Sequence, residues 1–137
     1  ILGNRQGISV VGDRFVLQSE VLFELGSAKI GEGGKLQLTQ LSLALRDIVQ
    51  NIPKDISWVL RVDGHTDAIP IKTADFPSNW ELSTARAISV VKYLISTGIP
   101  ARNLAAAGFG EFPPIDARRD EVAYRRNRRI ELKLDRR

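Results

Sequence analysis

Apolar residues at Leu38, Leu41, Leu45, Ile48 and Ile52 recur at spacings of three and four, which predicts a helix over about Lys35–Asn51 with one buried stripe. Leu36 and Leu43 widen the stripe, and Pro53 stops the helix. Ile56–Val62, ISWVLRV, is β-branched and aromatic and reads as a central strand. Ser83, Ala87, Val90 and Leu94, flanked by Ile88, Val91 and Ile95, predict a second helix over about Asn79–Thr97. Ser78 with Glu81 three residues on makes a capping box at its start, and Gly98 followed by Pro100 ends it. Leu104–Phe109 is a short strand rich in small residues, Gly110–Asp120 is a loop with Pro113-Pro114, and Glu121–Asn127 is a short helix. Arg129–Leu134, RIELKL, alternates apolar and charged, which predicts an antiparallel or edge strand with one core face and one wet face.

The start of the chain is more broken. Ile8–Val11, Gly12-Asp13 and Arg14–Gln18 read as strand, turn, strand. Val21-Leu22-Phe23 is a short buried segment, Gly26-Ser27-Ala28 breaks it, and Gly31, Gly33 and Gly34 make a loose approach to the first helix. Ile1–Gly7 has no period and is assigned as a linker remnant, with the domain over 8–137. Strands separated by helices argue for βαβ units with right-handed crossovers. The expected fold class is α/β (α+β): a two-layer sandwich with a mixed parallel/antiparallel sheet of about four main strands, helices on one face, and an added N-terminal strand or hairpin.

A length of 137 residues fits one domain with one core. The absence of cysteine excludes disulfides, thiol catalysis and thiolate metal sites. No apolar run approaches the ~20 residues of a membrane helix. The chain begins at Ile1 and contains no methionine, so it is expected to be a mature or excised piece, with any membrane anchor upstream. The net charge of +4 is uneven. Ala117–Arg137 carries nine Lys/Arg against four Asp/Glu, a local +5 that leaves the rest close to −1.

The chemistry gathers around Val62–Val90. Asp67 follows the predicted central strand in the turn Gly64-His65-Thr66-Asp67, and Arg86 lies two turns inside the next helix. They are too far apart for a helix-face pair, but in a βα unit both can line the crevice beyond the carboxyl end of the strand. The helix start and the guanidinium suit a carboxylate, and Asp67 suits an ammonium, so a free zwitterionic group is the predicted ligand. A plain Asp67–Arg86 salt bridge, or two solvated charges, fits the same spacing. Asn79 opens the helix and is placed facing the crevice, whereas Trp80 is placed as a lid over the core. His65, the sole histidine, reads as a turn residue bonding local backbone. A triad of Ser83, His65 and Asp67 lacks any nucleophile-elbow pattern, and a metal site lacks His and Cys ligands. The run Arg125-Arg126-Asn127-Arg128-Arg129 suits phosphate or a solvated cluster, but no nucleic-acid motif or interleaved aromatics accompany it.

LFELGSAKI, VDGHTD, NWELSTARA, VVKYL, GFGEFPP and NRRIEL, in this order, resemble the OmpA-like peptidoglycan-binding domain over about Val21–Leu134. The length of IPIKTADFPSNWELS is similar to the MotB-like branch, the periplasmic part of flagellar stator proteins. The resemblance implies a non-catalytic periplasmic domain of a membrane-anchored protein from a Gram-negative bacterium. It implies anchoring to the cell wall by non-covalent binding of peptidoglycan through the diaminopimelate of its peptide stem. Wall binding that is regulated, as in a stator, is the alternative; a basic nucleic-acid module is the lesser one. No cofactor, metal or nucleic acid is implied, and a homodimer is compatible. By motif, the ligand residues are Asp67 and Arg86 as the clamp, Asn79 with Leu82 beside it, and Thr66 in the turn. Arg128 and Arg129 add a weaker contact, with one of the two pointing away. Glu24 matches the family's acid after the aromatic of the first motif, but Leu25-Gly26 departs from the polar residues that follow elsewhere.

Overall fold

The computed structural model describes residues 8–11 and 14–136, with side chains from Arg14 onward. The predicted Ile1–Gly7 linker remnant and the Gly12-Asp13 turn lie outside the described residues. Five strands form one sheet in the order β1-β2-β5-β3-β4: β1 Ile8–Val11, β2 Arg14–Gln18, β3 Trp58–His65, β4 Leu104–Gly108 and β5 Arg129–Arg136. All neighbours are antiparallel except β3 and β4, which are parallel and joined by a helix. The helices are α1 Ser19–Leu22, α2 Glu32–Gln50, α3 Asn79–Ser96 and α4 Glu121–Asn127. The predicted two-layer mixed architecture holds, with the N-terminal hairpin built into the sheet through the β2–β5 pairing.

Strand alternation explains the core. Leu17 of β2, Leu60 and Val62 of β3, and Ile130 and Leu132 of β5 point to one face and are buried. Leu38, Leu41 and Leu45 of α2 and Ala87, Val90 and Leu94 of α3 meet them in one cluster, closed by Leu22, Phe23 and Ile99. The two helical stripes thus cover the same sheet face, as their periods require.

Several expectations need correction. Helix α2 starts at Glu32, so Gly33 and Gly34 belong to its first turns, with Gly34 buried against the backbone of Leu22. Leu36 and Leu43 do not widen its buried stripe; they are 68% and 56% exposed, because the sheet reaches only one side of the helix. Ser19–Leu22 is a helical turn, and only Leu22 and Phe23 of the predicted buried segment are buried. Strand β5 is interior, flanked by β2 and β3. Its charged face is not wet: Arg129 and Glu131 are buried. On that face Arg129 donates to Glu131 Oε2 at 2.5 Å, to Asn127 O and to Pro113 O, and Arg14 donates to Glu131 Oε1 at 2.6 Å. The proline loop, Arg129 of the same strand and Arg14 of β2 replace water there, and paired charge makes the burial tolerable.

Candidate functional site

Two glycines set the site. A Cβ at Gly64, near the end of β3, would collide with the carbonyl of Ser83, and one at Gly108, the last residue of β4, would collide with Thr84. Their absence lets the first turns of α3 lie directly on the strand ends. Ser78 caps α3: its hydroxyl oxygen accepts from Trp80 N at 3.2 Å and the hydroxyl also bonds Glu81. Ser83 Oγ donates to Trp80 O and accepts from Gly110 N at 2.9 Å, which ties the loop after β4 to the helix.

This close seat brings Arg86 and Asp67 to one cavity of about 550 Å³ beyond the end of β3. Thr66, Asp67, Asn79, Leu82, Arg86 and Arg128 all line it, so six of the seven predicted site residues converge. Arg129 does not line it. Its side chain is 3% exposed and points to the opposite face of the sheet, because neighbours along a strand alternate. Glu20, Phe23, Leu25, Ile69, Pro70 and Ile71 add walls that motif matching did not identify.

The two central charges are not paired with each other. Arg86, 5% exposed, donates Nε–H to Ser27 O at 2.8 Å and Nη2–H to Glu24 O at 3.2 Å. Its guanidinium carbon lies 4.9 Å from the centre of the Phe23 ring. Burial, then the nearby Arg128 charge, opposed by Asp67, lowers its pKa to about 10. Glu24 thus contributes its carbonyl rather than its carboxylate. Asp67 Oδ2 accepts from Arg128 Nη1 at 2.7 Å, and Oδ1 accepts from Ile69 N at 3.0 Å. Arg128 also donates to Glu121 at 2.8 Å. Burial acts to lower the Arg128 pKa, but the bonds to Glu121 and Asp67 outweigh it and raise the group. Asn79 Nδ2 donates to Ile69 O at 3.0 Å and so pins the start of the 68–78 connection. Thr66 Oγ1 donates to the carbonyl of Asp67 at 2.9 Å.

Two other predicted placements change. Trp80 is 52% exposed and packs beside Phe112 rather than over the core. His65 ends β3 and is buried; Nδ1–H donates to Phe112 O at 3.0 Å, a bond across 47 residues rather than a local one. Its ring stacks on Phe109 with centroids 5.1 Å apart. Burial and Arg129 lower its pKa, against Glu131. Potential ligand atoms of Asp63, His65 and Glu131 lie within 4.8 Å of one another, a cluster the sequence did not reveal. Arg61 holds both oxygens of Asp63, and Arg14 and Arg129 hold Glu131, so the cluster is an ion network on the back of the sheet.

Residues 22–128 match the OmpA family. The chain belongs to the OmpA family. It is 38% identical over 118 residues to the "Uncharacterized protein YtxE" of Bacillus subtilis, covering 85% of this chain and 46% of that protein. The chain therefore spans about half the length of this curated relative. Among solved structures, the cell wall anchor of the T6SS from Pseudomonas aeruginosa superposes with a TM-score of 0.81 at 30% identity, covering 96% of this chain and 90% of that one. The periplasmic domain of Helicobacter pylori MotB, residues 90–256, superposes with a TM-score of 0.80 at 26% identity, covering 99% and 85%. Both the family and the MotB-like resemblance seen in the motifs are thereby established, together with the mixed-sheet fold.

Proposed function

We propose that this domain binds peptidoglycan without covalent chemistry and anchors a larger envelope protein to the cell wall from the periplasm. The observation that carries this reading is the open cavity in which buried Arg86 and Asp67 stand on one wall system without pairing. The hydrogen bonds of Arg86 among the described residues go to neutral carbonyls, so its charge is balanced best by an anion entering the cavity. Asp67 and the rim acids Glu20 and Glu121 suit an ammonium beside that anion. A free carboxylate and ammonium on one carbon describe the unblocked end of diaminopimelate in the peptide stem. Arg86 then takes the carboxylate and Asp67 the ammonium, while Asn79 and Thr66 hold the backbone around Asp67 and Leu82 lines the apolar wall. Arg128, rather than Arg129, is the second arginine of the site.

Among the described residues the Ser83–His65 pair that a triad would need does not form: Ser83 Oγ is engaged with Trp80 O and Gly110 N, while His65 turns Nδ1 to Phe112 O and Nε2 toward Glu131 Oε2, 3.9 Å away. Retention on purified cell walls tests the proposal. Arg86→Ala and Asp67→Asn should each drop retention below detection, since deleting one member of a buried charge contact costs several kcal/mol. Undiminished retention of both variants rejects the site. Release of soluble muropeptides by the wild-type domain would instead favour an enzyme.

A further inference from the structure

Trp80 and Phe112 are each 52% exposed, and their ring centroids lie 6.0 Å apart at 37°. The indole is not a loose surface ring. It packs on Gly110, whose φ of 61° and missing side chain leave room for it, and a Cβ there would lie 3.3 Å from the indole. Phe112 also lines a second cavity of about 220 Å³ with Ala68, Glu111, Pro114, Arg118 and Arg119. Ala68 is decisive. Its sequence neighbours Asp67 and Ile69 line the first cavity, so one stretch of backbone borders both cavities.

We propose that Trp80, Phe112 and the adjoining small cavity form a subsite for one N-acetylhexosamine ring of the glycan strand. This rests on the reading of the first cavity as the peptide-stem site. The stem hangs from the glycan, so a sugar lies within a few residues of the diamino acid, at no more than ~3.6 Å per residue. The second cavity is lined by Ala68, the residue next to Asp67, so it borders the stem site. Aromatic faces carry negative charge density and meet the positive axial C–H edges of a pyranose. Glu111 and Arg119 supply an acceptor and donors at the rim for hydroxyl and N-acetyl groups. The size of the cavity suits one ring rather than a protein segment.

Calorimetric titration with two probes tests this: a sugar-free diaminopimelate tripeptide, and the same peptide on its N-acetylglucosaminyl–N-acetylmuramyl disaccharide. Trp80→Ala should weaken the disaccharide peptide on the order of tenfold, the usual cost of losing an aromatic anchor, and leave the tripeptide unchanged. Phe112→Ala should act in the same direction, and Trp80→Phe should keep most of the affinity. Binding of both probes unaltered by Trp80→Ala and Phe112→Ala, or weakened equally, overturns the subsite and assigns the aromatic pair to another occupant. Disaccharide-dependent binding through Trp80 without tripeptide binding would uphold the subsite and sink the diamino-acid reading. Binding of neither probe would sink both.

Discussion

Arg86 is the residue on which structure and binding converge. Its guanidinium holds the Glu24–Ser27 turn through two carbonyls and stacks over Phe23, so it is a structural tie as well as a proposed ligand contact. Arg86→Ala should therefore lower stability by about 1–3 kcal/mol through the orphaned carbonyls, measurable by urea unfolding, in addition to removing wall retention. Arg86→Lys keeps the charge but not the fork, and should bind far more weakly than wild type. His65 gives a pH signature. Its folded pKa lies below the ordinary value, so the unfolded chain takes up the proton first as pH falls through about 6.5. Stability is then lost as pH drops through that window, before the carboxylates titrate below about 4.5. In His65→Gln the fall that sets in below about pH 6.5 should flatten in thermal melts. Asp67, Asn79 and Arg86 were legible because each sits in a short motif. Phe23 and the two carbonyls were not, since a backbone acceptor leaves no mark on residue identity.

Helix α3 is the element that makes the site, and its position depends on small contacts. Removing the Ser78 cap by Ser78→Ala should cost ~1 kcal/mol and fray the turn that carries Asn79. Gly64→Ala should be worse, because the added Cβ meets the Ser83 backbone and must push the helix off the strand. That variant should lose wall retention more than stability alone explains, since Arg86 moves with α3. Leu45→Ala in α2 should cost about 2–5 kcal/mol and leave the site residues in place, which separates packing from binding. Helical periods and caps located both helices to within a few residues. They did not show that Leu36 and Leu43 face outward, because a stripe's width depends on how far the opposing sheet extends. The alternation in β5 likewise named its charged face but not the loop that buries it.

At the scale of the molecule, one sheet joins the N-terminal hairpin to the βαβ unit through β5. Unfolding should follow a single transition by far-UV and near-UV probes, as expected for one core. A chain beginning at Ser19 should fail that test, because it loses β2, the buried Leu17 and the Arg14–Glu131 contact. Among the described residues no helix is long and apolar enough to cross a membrane. The basic excess near the C-terminus is largely absorbed locally: Arg118 and Arg126 hold Asp116, Arg128 holds Asp67 and Glu121, and Arg129 holds Glu131.

By itself the sequence determined most of the element order, the main apolar stripes, the family, and five cavity residues carried by motifs, Thr66, Asp67, Asn79, Leu82 and Arg86, with Arg128 and Arg129 left open, since all of these follow from local spacing and residue type. Only the tertiary structure decided that Asp67 pairs with Arg128 rather than Arg86, that Arg129 turns to the other face, and that His65 bonds a distant carbonyl. Those outcomes depend on strand register and on the approach of α3 over Gly64 and Gly108, distances between segments far apart in the chain that no local pattern encodes.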